Sequence, residues 1–506
     1  MKPKPLQGVA LAITTFALSL ATFMQVLDST IANVAIPTIS GELGVSFSQG
    51  TWVITSFGVA NAISIPMAGW LAKRFGEVKL FLISTFAFVL ASWLCGISSS
   101  LEMLIICRVL QGLAAGPVIP LSQSLLLNNY PAEKRSMALA FWGMTIVVAP
   151  IFGPILGGWI SDNLHWGWIF FINIPIGFFV VFVIWKTLSQ RETLIHKVPV
   201  DRMGLILLIL GVGCLQLMLD QGREEDWFNS NEIILLAIIS SVALITLVIW
   251  SLTDDNPIVD ISLFTSRNFV VGCLCSSLAF LVYLGSVVLL PLLLQQVYGY
   301  TATWAGLAAS PVGLLPILLS PVIGKFGHRI DMRVLLTVSF VVYAITFYWR
   351  AVTFEPNMTF WDFALPQFVQ GLAAACFFMP LTTITLSGLP PQKLASASSL
   401  FNFLRTLAGS AGASLTTFMW YHRESFHHIR LTEAITHFDV NSQAFFRTME
   451  SVGLSDIQAS GLLARTITSQ GFIMGASEIF WFSSLLFLAL ILLAWFAKPP
   501  FNGKEE

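Results

Sequence analysis

The chain has 506 residues, 56% of them hydrophobic and 10% charged, with a formal net charge of -1. Together with a mean hydropathy of +0.80, this excludes a soluble globular protein. That net charge says nothing about nucleic acid, and none is expected as a partner. The useful charge signal is therefore where the few charged side chains stand.

Lys2 and Lys4 make a basic start. The apolar run that follows is too long for a secretory leader and carries no A-x-A-like site, so a retained membrane helix is expected. Within it, Thr15 to Pro37 reads TFALSLATFMQVLDSTIANVAIP. A carboxylate at that depth, Asp28, costs roughly 2.5–3.5 kcal/mol on insertion scales. At helical spacing Thr15, Thr22, Gln25, Ser29 and Asn33 share one face, with Asp28 at its edge. Phe16, Leu20, Phe23 and Leu27 lie opposite. Lipid does not solvate a polar face, so this one is expected to look into a bundle or a water-filled cavity. Asp28 reads as the only acid deep in a span.

Apolar runs of spanning length recur fourteen times, with approximate cores at 11–36, 52–71, 79–97, 103–126, 137–160, 167–186, 203–221, 232–252, 269–292, 304–325, 333–353, 363–386, 399–420 and 477–497. With the N-terminus inside, all eleven lysines fall on the cytoplasmic side. Both termini are then cytoplasmic. The six cysteines lie in apolar segments without a CxxC pair and predict neither disulfide nor metal site. The histidines of segment 421–475 have no metal-pair spacing.

The chain also repeats itself. Gln111-Gly112-Leu113-Ala114-Ala115 recurs as Gln370-Gly371-Leu372-Ala373-Ala374, and Pro131 and Lys134 recur as Pro390 and Lys393. Gly69 and Arg74 match Gly324 and Arg329. The expected architecture is all-α and polytopic: a six-helix half over 1–190, two inserted helices over 191–265, and a second half over 266–506. That second half carries a long outer loop at about 421–475. Parallel repeats of this kind enclose a central cavity that opens to either side.

Several motifs carry chemistry. Arg108 lies inside the fourth span with Gln111 and Gly112 on its face. It either modulates the protonation of Asp28 or snorkels to the interface. Gly153, Pro154, Gly157 and Gly158 let the fifth span bend and approach a neighbour closely. With Gly112 and Gly116 they mark a seam on which the halves are expected to rock. Lys73, Arg74 and Arg329 are either topology anchors or a charged latch, with Asp331 as acidic partner in the second half. Gln25, Asn33, Gln111 and Arg405 are candidates for the cavity wall, Arg405 either snorkelling or meeting an anionic substrate. No G-x-x-x-x-G-K-[ST], H-E-x-x-H or G-x-S-x-G occurs. The sequence thus predicts no enzyme, no cofactor and an ion gradient as the energy source.

These residues resemble the major facilitator superfamily over the full length, and more closely its fourteen-helix drug:proton antiporters of the EmrB type. The resemblance is carried by Leu27-Asp28-Ser29-Thr30-Ile31-Ala32-Asn33-Val34-Ala35-Ile36-Pro37, by Gly69-Trp70-Leu71-Ala72-Lys73-Arg74-Phe75-Gly76, and by Arg108-Val109-Leu110-Gln111-Gly112. Gly153-Pro154-Ile155-Leu156-Gly157-Gly158 and Trp166-Gly167-Trp168-Ile169-Phe170-Phe171-Ile172-Asn173-Ile174-Pro175 complete it. Lys73 stands where the family's loop has an acid and Glu77 where it has a base, a swap expected to keep a charge pair. The resemblance implies a major-facilitator fold in a bacterial inner membrane. It implies proton coupling through Asp28 and Arg108, and a direction of export from the Gly153–Gly158 motif. It also implies multidrug efflux of small hydrophobic or amphipathic compounds, with a periplasmic adaptor and an outer-membrane channel as partners. An exporter of one defined metabolite and a non-transporting membrane sensor or scaffold are the other readings.

Overall fold

The structure is a computed structural model that describes residues 6–131, 134–193, 195, 199, 201–222, 224–254, 257–326, 330–435 and 440–501. Arg329 lies outside the described residues. All regular elements among them are helices.

The first six spans are built from α1 (Gly8–Leu43), α2 (Phe47–Phe75), α3 (Glu77–Gly96), α4 (Leu101–Ala115), α5 (Val118–Asn129), α6 (Arg135–Asn163), α7 (Trp168–Phe171) and α8 (Asn173–Leu188). Their ends follow local chemistry. Gly44 closes α1 in the left-handed region at φ 67°. A capping box of Ser46 and Gln49 opens α2. The fourth span breaks between α4 and α5 at Gly116–Pro117, where proline has no N–H to continue the ladder. Two further helices, α9 (Arg202–Gln221) and α10 (Asn231–Thr253), pack on each other, and α9 also packs on α2.

The last six spans use α11 (Arg267–Gln296), α12 (Ala302–Ala309), α13 (Leu314–Phe326), α14 (Met332–Thr353), α15 (Phe360–Ala375), α16 (Phe378–Leu386), α17 (Leu394–Ala434), α18 (Val440–Ser451) and α19 (Asp456–Ala494). Their packing repeats that of the first six. The first helix lies on the fifth (α1 on α6, α11 on α17), and the third on the sixth (α3 on α8, α14 on α19). Thirteen helices among the described residues are long and apolar enough to cross a membrane. The predicted span 399–420 lies within α17, whose polar and small residues keep it out of that set.

Two expectations fail here. Segment 421–475 is not a long loop. It is occupied by the end of α17, by α18 and by the start of α19. At 1.5 Å per residue the 41 residues of α17 extend about 60 Å, roughly twice a hydrocarbon core. Bonds from Arg423 and His427 to Glu478 tie the outer ends of α17 and α19 together. The glycine seams, moreover, lie inside the first half. A Cβ on Gly157 would sit 2.8 Å from the Ile31 carbonyl oxygen, and one on Gly112 would sit 2.5 Å from that of Phe57. A Cβ on Gly153 would meet Thr30 at 2.2 Å, whereas Gly158 has only Val34 at 3.9 Å. These glycines weld α6 to α1 and α4 to α2. Pro154 is helical within α6, and its side chain lies outside the described residues.

Close contacts between the two sets of six lie elsewhere, several of them on the side of the N-terminus. A Cβ on Gly69 would sit 2.5 Å from the Ser396 Cα. Asn402 Nδ2 donates to Gln123 Oε1 at 2.9 Å, Gln123 Nε2 donates to Thr382 Oγ1 at 3.3 Å, and Ser399 donates to the Ile65 carbonyl. Towards the opposite side α2, α9, α11 and α17 surround a cavity of about 600 Å³, lined among others by Thr51, Thr55, Asp220, Gln221, Ser414 and Thr417.

Candidate functional site: a buried acid and its arginine

The polar face of α1 is used residue by residue. Thr15 bonds the Tyr130 hydroxyl, Thr22 shares a hydrogen bond with Ser122 at 2.9 Å, and Gln25 Nε2 donates to Asn61 at 3.3 Å. On the other face Phe16 is exposed, but Leu27 is fully buried. Asn33 is exposed and stands apart from the buried cluster.

Asp28 is 1% exposed. Its Oδ2 accepts from Arg108 Nη1 at 2.7 Å, and its Oδ1 accepts from Gln111 Nε2 at 3.0 Å and from Asn173 Nδ2 at 2.6 Å. Arg108 also donates from Nε to the Val53 carbonyl at 3.0 Å and from Nη1 to Gln111 Oε1 at 2.8 Å. Its guanidinium carbon stands 4.2 Å from the Phe57 ring centroid. Ser92 Oγ accepts from Gln111 at 2.7 Å. Five helices, α1, α2, α3, α4 and α8, thus converge on one ion pair. Arg108 does not snorkel. It is as buried as the acid.

Burial makes this arrangement all-or-none. Removing one member of a buried pair costs about 3–5 kcal/mol, because the other charge is left without compensation. A proton arriving on Asp28 does the same thing by chemistry. It cancels the negative charge, turns an acceptor oxygen into a donor, and leaves Arg108 to find another partner. Proton binding here would therefore be a structural event for α1 and α4.

Asn173 enters the sequence reading only within the Trp166–Pro175 motif, without a role, and Ser92 is not singled out there. Asn173 could have been found as an amide set between Phe171 and Pro175 in an apolar span. Gln111, expected on the cavity wall, is fully buried inside this cluster. Nor is Asp28 the only buried acid. Glu77 is 4% exposed and accepts from Ser124 Oγ at 2.9 Å and Asn128 Nδ2 at 3.2 Å. Asp220 on α9 accepts from Gln216 Nε2 at 3.0 Å beside the cavity.

The expected charge pair between Lys73 and Glu77 gives way to a different arrangement. Lys73 lies 3.8 Å from Asp260 in the segment before α11, and Lys393 lies 3.9 Å from the same carboxylate. Asp260 thus bridges the last turn of α2 and the turn before α17. Gly76 turns between α2 and α3 at φ 91°. A Cβ there would meet Glu192, whose carboxylate accepts from the Val78 and Lys79 N–H groups at 2.9 and 2.8 Å. Arg74 stacks 5.6 Å from the Trp70 ring. Asp331 pairs with Arg333, its near neighbour, at 2.7 Å and does not reach the first half. Hydrogen bonds from Arg333 hold the Asp331 carboxyl below its ordinary range.

Arg405 is buried in the second half, 4.9 Å from the Phe280 ring centroid. Its mate in burial, Arg350, donates from Nη2 to Gln370 Oε1 at 2.5 Å.

The sequence matches the Major Facilitator Superfamily over residues 18–413. It is 76% identical to the multidrug export protein EmrB of Haemophilus influenzae over 501 residues, covering 99% of this chain and 98% of that one. It is 66% identical to EmrB of Escherichia coli K12 over 500 residues, with coverage of 99% and 98%. It is 55% identical to the fatty acid resistance protein FarB of Neisseria gonorrhoeae over 499 residues, again with 99% and 98% covered. Among solved structures it resembles the human organic anion transporter MFSD10, with a TM-score of 0.59 and 13% identity, over 96% of this chain and all of that one. Paired six-span halves, a welded first and fifth helix in each, and near-full-length identity to EmrB place the chain in the major facilitator superfamily, as a transporter of the EmrB type.

Proposed function

We propose that this chain exports small hydrophobic or amphipathic compounds and drives their exit with protons entering the cell. The observation that carries the proposal is the Asp28–Arg108 pair, a titratable carboxylate with its charge partner sealed among five helices. Near-full-length identity to proteins named for multidrug export supplies the cargo class. In this reading the side of the N-terminus faces the cytoplasm of a bacterial inner membrane, and the lysine distribution supports that orientation. On that reading the halves are drawn together at the cytoplasmic mouth, through Gly69–Ser396 and Asn402–Gln123.

In the cycle we propose, cargo enters from the cytoplasm between the halves while Asp28 is unprotonated and paired with Arg108. The halves close behind it along the cytoplasmic contacts, and the cargo leaves outward. Asp28 then takes a proton from outside. Protonation frees Arg108, and the first half relaxes towards the cytoplasm-facing form. Return of the proton to the cytoplasm restores the pair. Moving one charge through 100 mV supplies about 2.3 kcal/mol. The proton gradient is the energy source in this scheme, and no cofactor enters it. The long outer ends of α17 and α19 are where a periplasmic adaptor would sit, and through it an outer-membrane channel.

The test is proton release by the purified protein when drugs are added, wild type beside Asp28→Asn. Drug-dependent release that disappears in the variant supports coupling through Asp28. Undiminished release in the variant moves the coupling elsewhere and sinks this assignment.

A further inference from the structure

Arg405 stands out among the buried cations. Arg108 has Asp28, and Arg350 has the Gln370 carbonyl oxygen. Arg405 is only 4% exposed, yet its Nε and Nη1 have no hydrogen-bond partner among the described residues. It belongs to none of the ion pairs found among them either. A guanidinium keeps its charge in a protein and carries five donors in a planar fork. Burying such a group without an acceptor is costly, so a chain retains it where an acceptor arrives during function.

The surroundings say what kind of acceptor fits. Arg405 faces aromatic rings on three helices: Phe280 of α11 at 4.9 Å, Phe378 of α16 at 5.9 Å, and Phe401 of α17 at 5.9 Å. Ring faces partly compensate a cation and present flat apolar walls beside it. The position is central. Arg405 lies one turn from Asn402, which holds the two halves together, and about 12 Å along α17 from Ala413 on the cavity wall. The side chain thus lies beside the contact between the halves.

We infer that Arg405, with Phe280 and Phe378, forms a recognition site for the planar anionic group of an aromatic or amphiphilic acid, a carboxylate bound by the guanidinium fork while its apolar body lies against the rings. The inference deepens the export reading and rests on it only in naming the bound molecule a substrate. With the halves drawn together the rings cover the cation. With the Asn402–Gln123 contact broken, the fork is open to a carboxylate.

The experiment is equilibrium binding to the purified full chain in lipid nanodiscs, with no proton gradient. The probes are 1-naphthoate, its neutral isostere 1-naphthamide, and the cation tetraphenylphosphonium. Wild type is expected to prefer 1-naphthoate over 1-naphthamide. Arg405→Gln is expected to weaken 1-naphthoate by roughly 10- to 100-fold, the range of a lost charged hydrogen bond, and to leave the other two within about twofold. Arg405→Lys keeps the charge without the fork and is expected to recover part of the loss, which also covers the case in which Arg405→Gln does not fold. Equal loss of all three probes, unchanged 1-naphthoate binding, or no wild-type preference for the anion overturns the site. Arg405-dependent binding of phosphatidylglycerol that 1-naphthoate does not displace also overturns it, in favour of a lipid head-group. Binding and transport separate the two proposals. An anion that binds through Arg405 and is never exported defeats the export reading and leaves the site. An anion exported with unchanged affinity in Arg405→Gln defeats the site and leaves export standing.

Discussion

The two halves share a scaffold and differ in chemistry. In each, the fourth span begins its glycine seam with Gln-Gly-Leu-Ala-Ala, and that glycine presses on a carbonyl of the second span: Phe57 in one half, Val312 in the other. In each, the glutamine reaches the third span. Gln111 meets Ser92 there and hands its remaining contacts to Asp28 and Arg108. Gln370 meets Arg350, which has no carboxylate partner among the described residues. Around Arg350 stand the rings of Phe347 and Phe480, both with guanidinium-to-centroid distances of 5.5 Å. One half therefore holds a pair that a proton can break. The other holds a cation in an aromatic wall that a proton leaves unchanged. The repeat supplies two equivalent frames, and Asp28 gives the arginine of one of them a carboxylate partner.

The comparison is broken most directly at its charged centres. Arg108→Ala is expected to cost about 3–5 kcal/mol, because Asp28 is left buried and unpaired. Asp28→Asn keeps an amide beside Arg108 but leaves its charge uncompensated, and is expected to cost no more than that, to keep the fold and to lose all drug-driven proton release. Arg350→Met, by contrast, replaces a cation already lodged among rings and is expected to change stability by less than about 2 kcal/mol with coupling intact. Thermal unfolding and proton release, measured on all three, check the contrast. A collapse of coupling in Arg350→Met would mean the second half also carries the proton step.

The glycine welds come next. A Cβ on Gly412 would sit 1.9 Å from the Leu281 carbonyl oxygen, and one on Gly157 2.8 Å from that of Ile31. Gly412→Val and Gly157→Val are each expected to cost about 1–3 kcal/mol or more. Gly158→Ala, with its nearest neighbour at 3.9 Å, is expected to gain up to about 1 kcal/mol from helix propensity. Denaturation midpoints in detergent rank the three.

The smallest effect concerns Asp331. Its folded carboxyl titrates below its ordinary range, so the stabilisation it gives is present above that range and is lost as pH falls through the lowered folded value. Wild type should therefore lose melting temperature between roughly pH 5 and 3 more steeply than Asp331→Asn. Parallel slopes would show that the Arg333 pair contributes nothing.

Much of this was legible in the sequence. Hydrophobic length gave the spans, because a helix is the only open-ended way to satisfy backbone groups in lipid. The repeat gave the pairing of halves, and a lone acid and arginine in apolar runs gave the ion pair. What escaped depends on three-dimensional neighbours. Asn173 joins Asp28 from 145 residues away. Lys73 chose Asp260 over the sequence-near Glu77, which burial and hydrogen bonds to Ser124 and Asn128 hold on the inner side of α3. Hydropathy also misread the outer ends of α17 and α19. Sequences such as His422-Arg423-Glu424-Ser425 are polar, but nothing in them breaks a helix, and the Ser455 capping box starts α19 well outside the apolar run.

The unbroken course of α17 has a mechanical consequence. One rod carries Ser396 and Asn402 at the closed mouth, Arg405 at mid-height, Ser414 and Thr417 on the cavity wall, and Arg423 and His427 at the braced tip. A rigid rod of about 60 Å that tilts by about 10° about its inner end swings its tip by about 10 Å. Opening the mouth on the side of the N-terminus and displacing the far tip are then one motion seen at two ends, so whatever rests on that tip would sense which way the transporter faces.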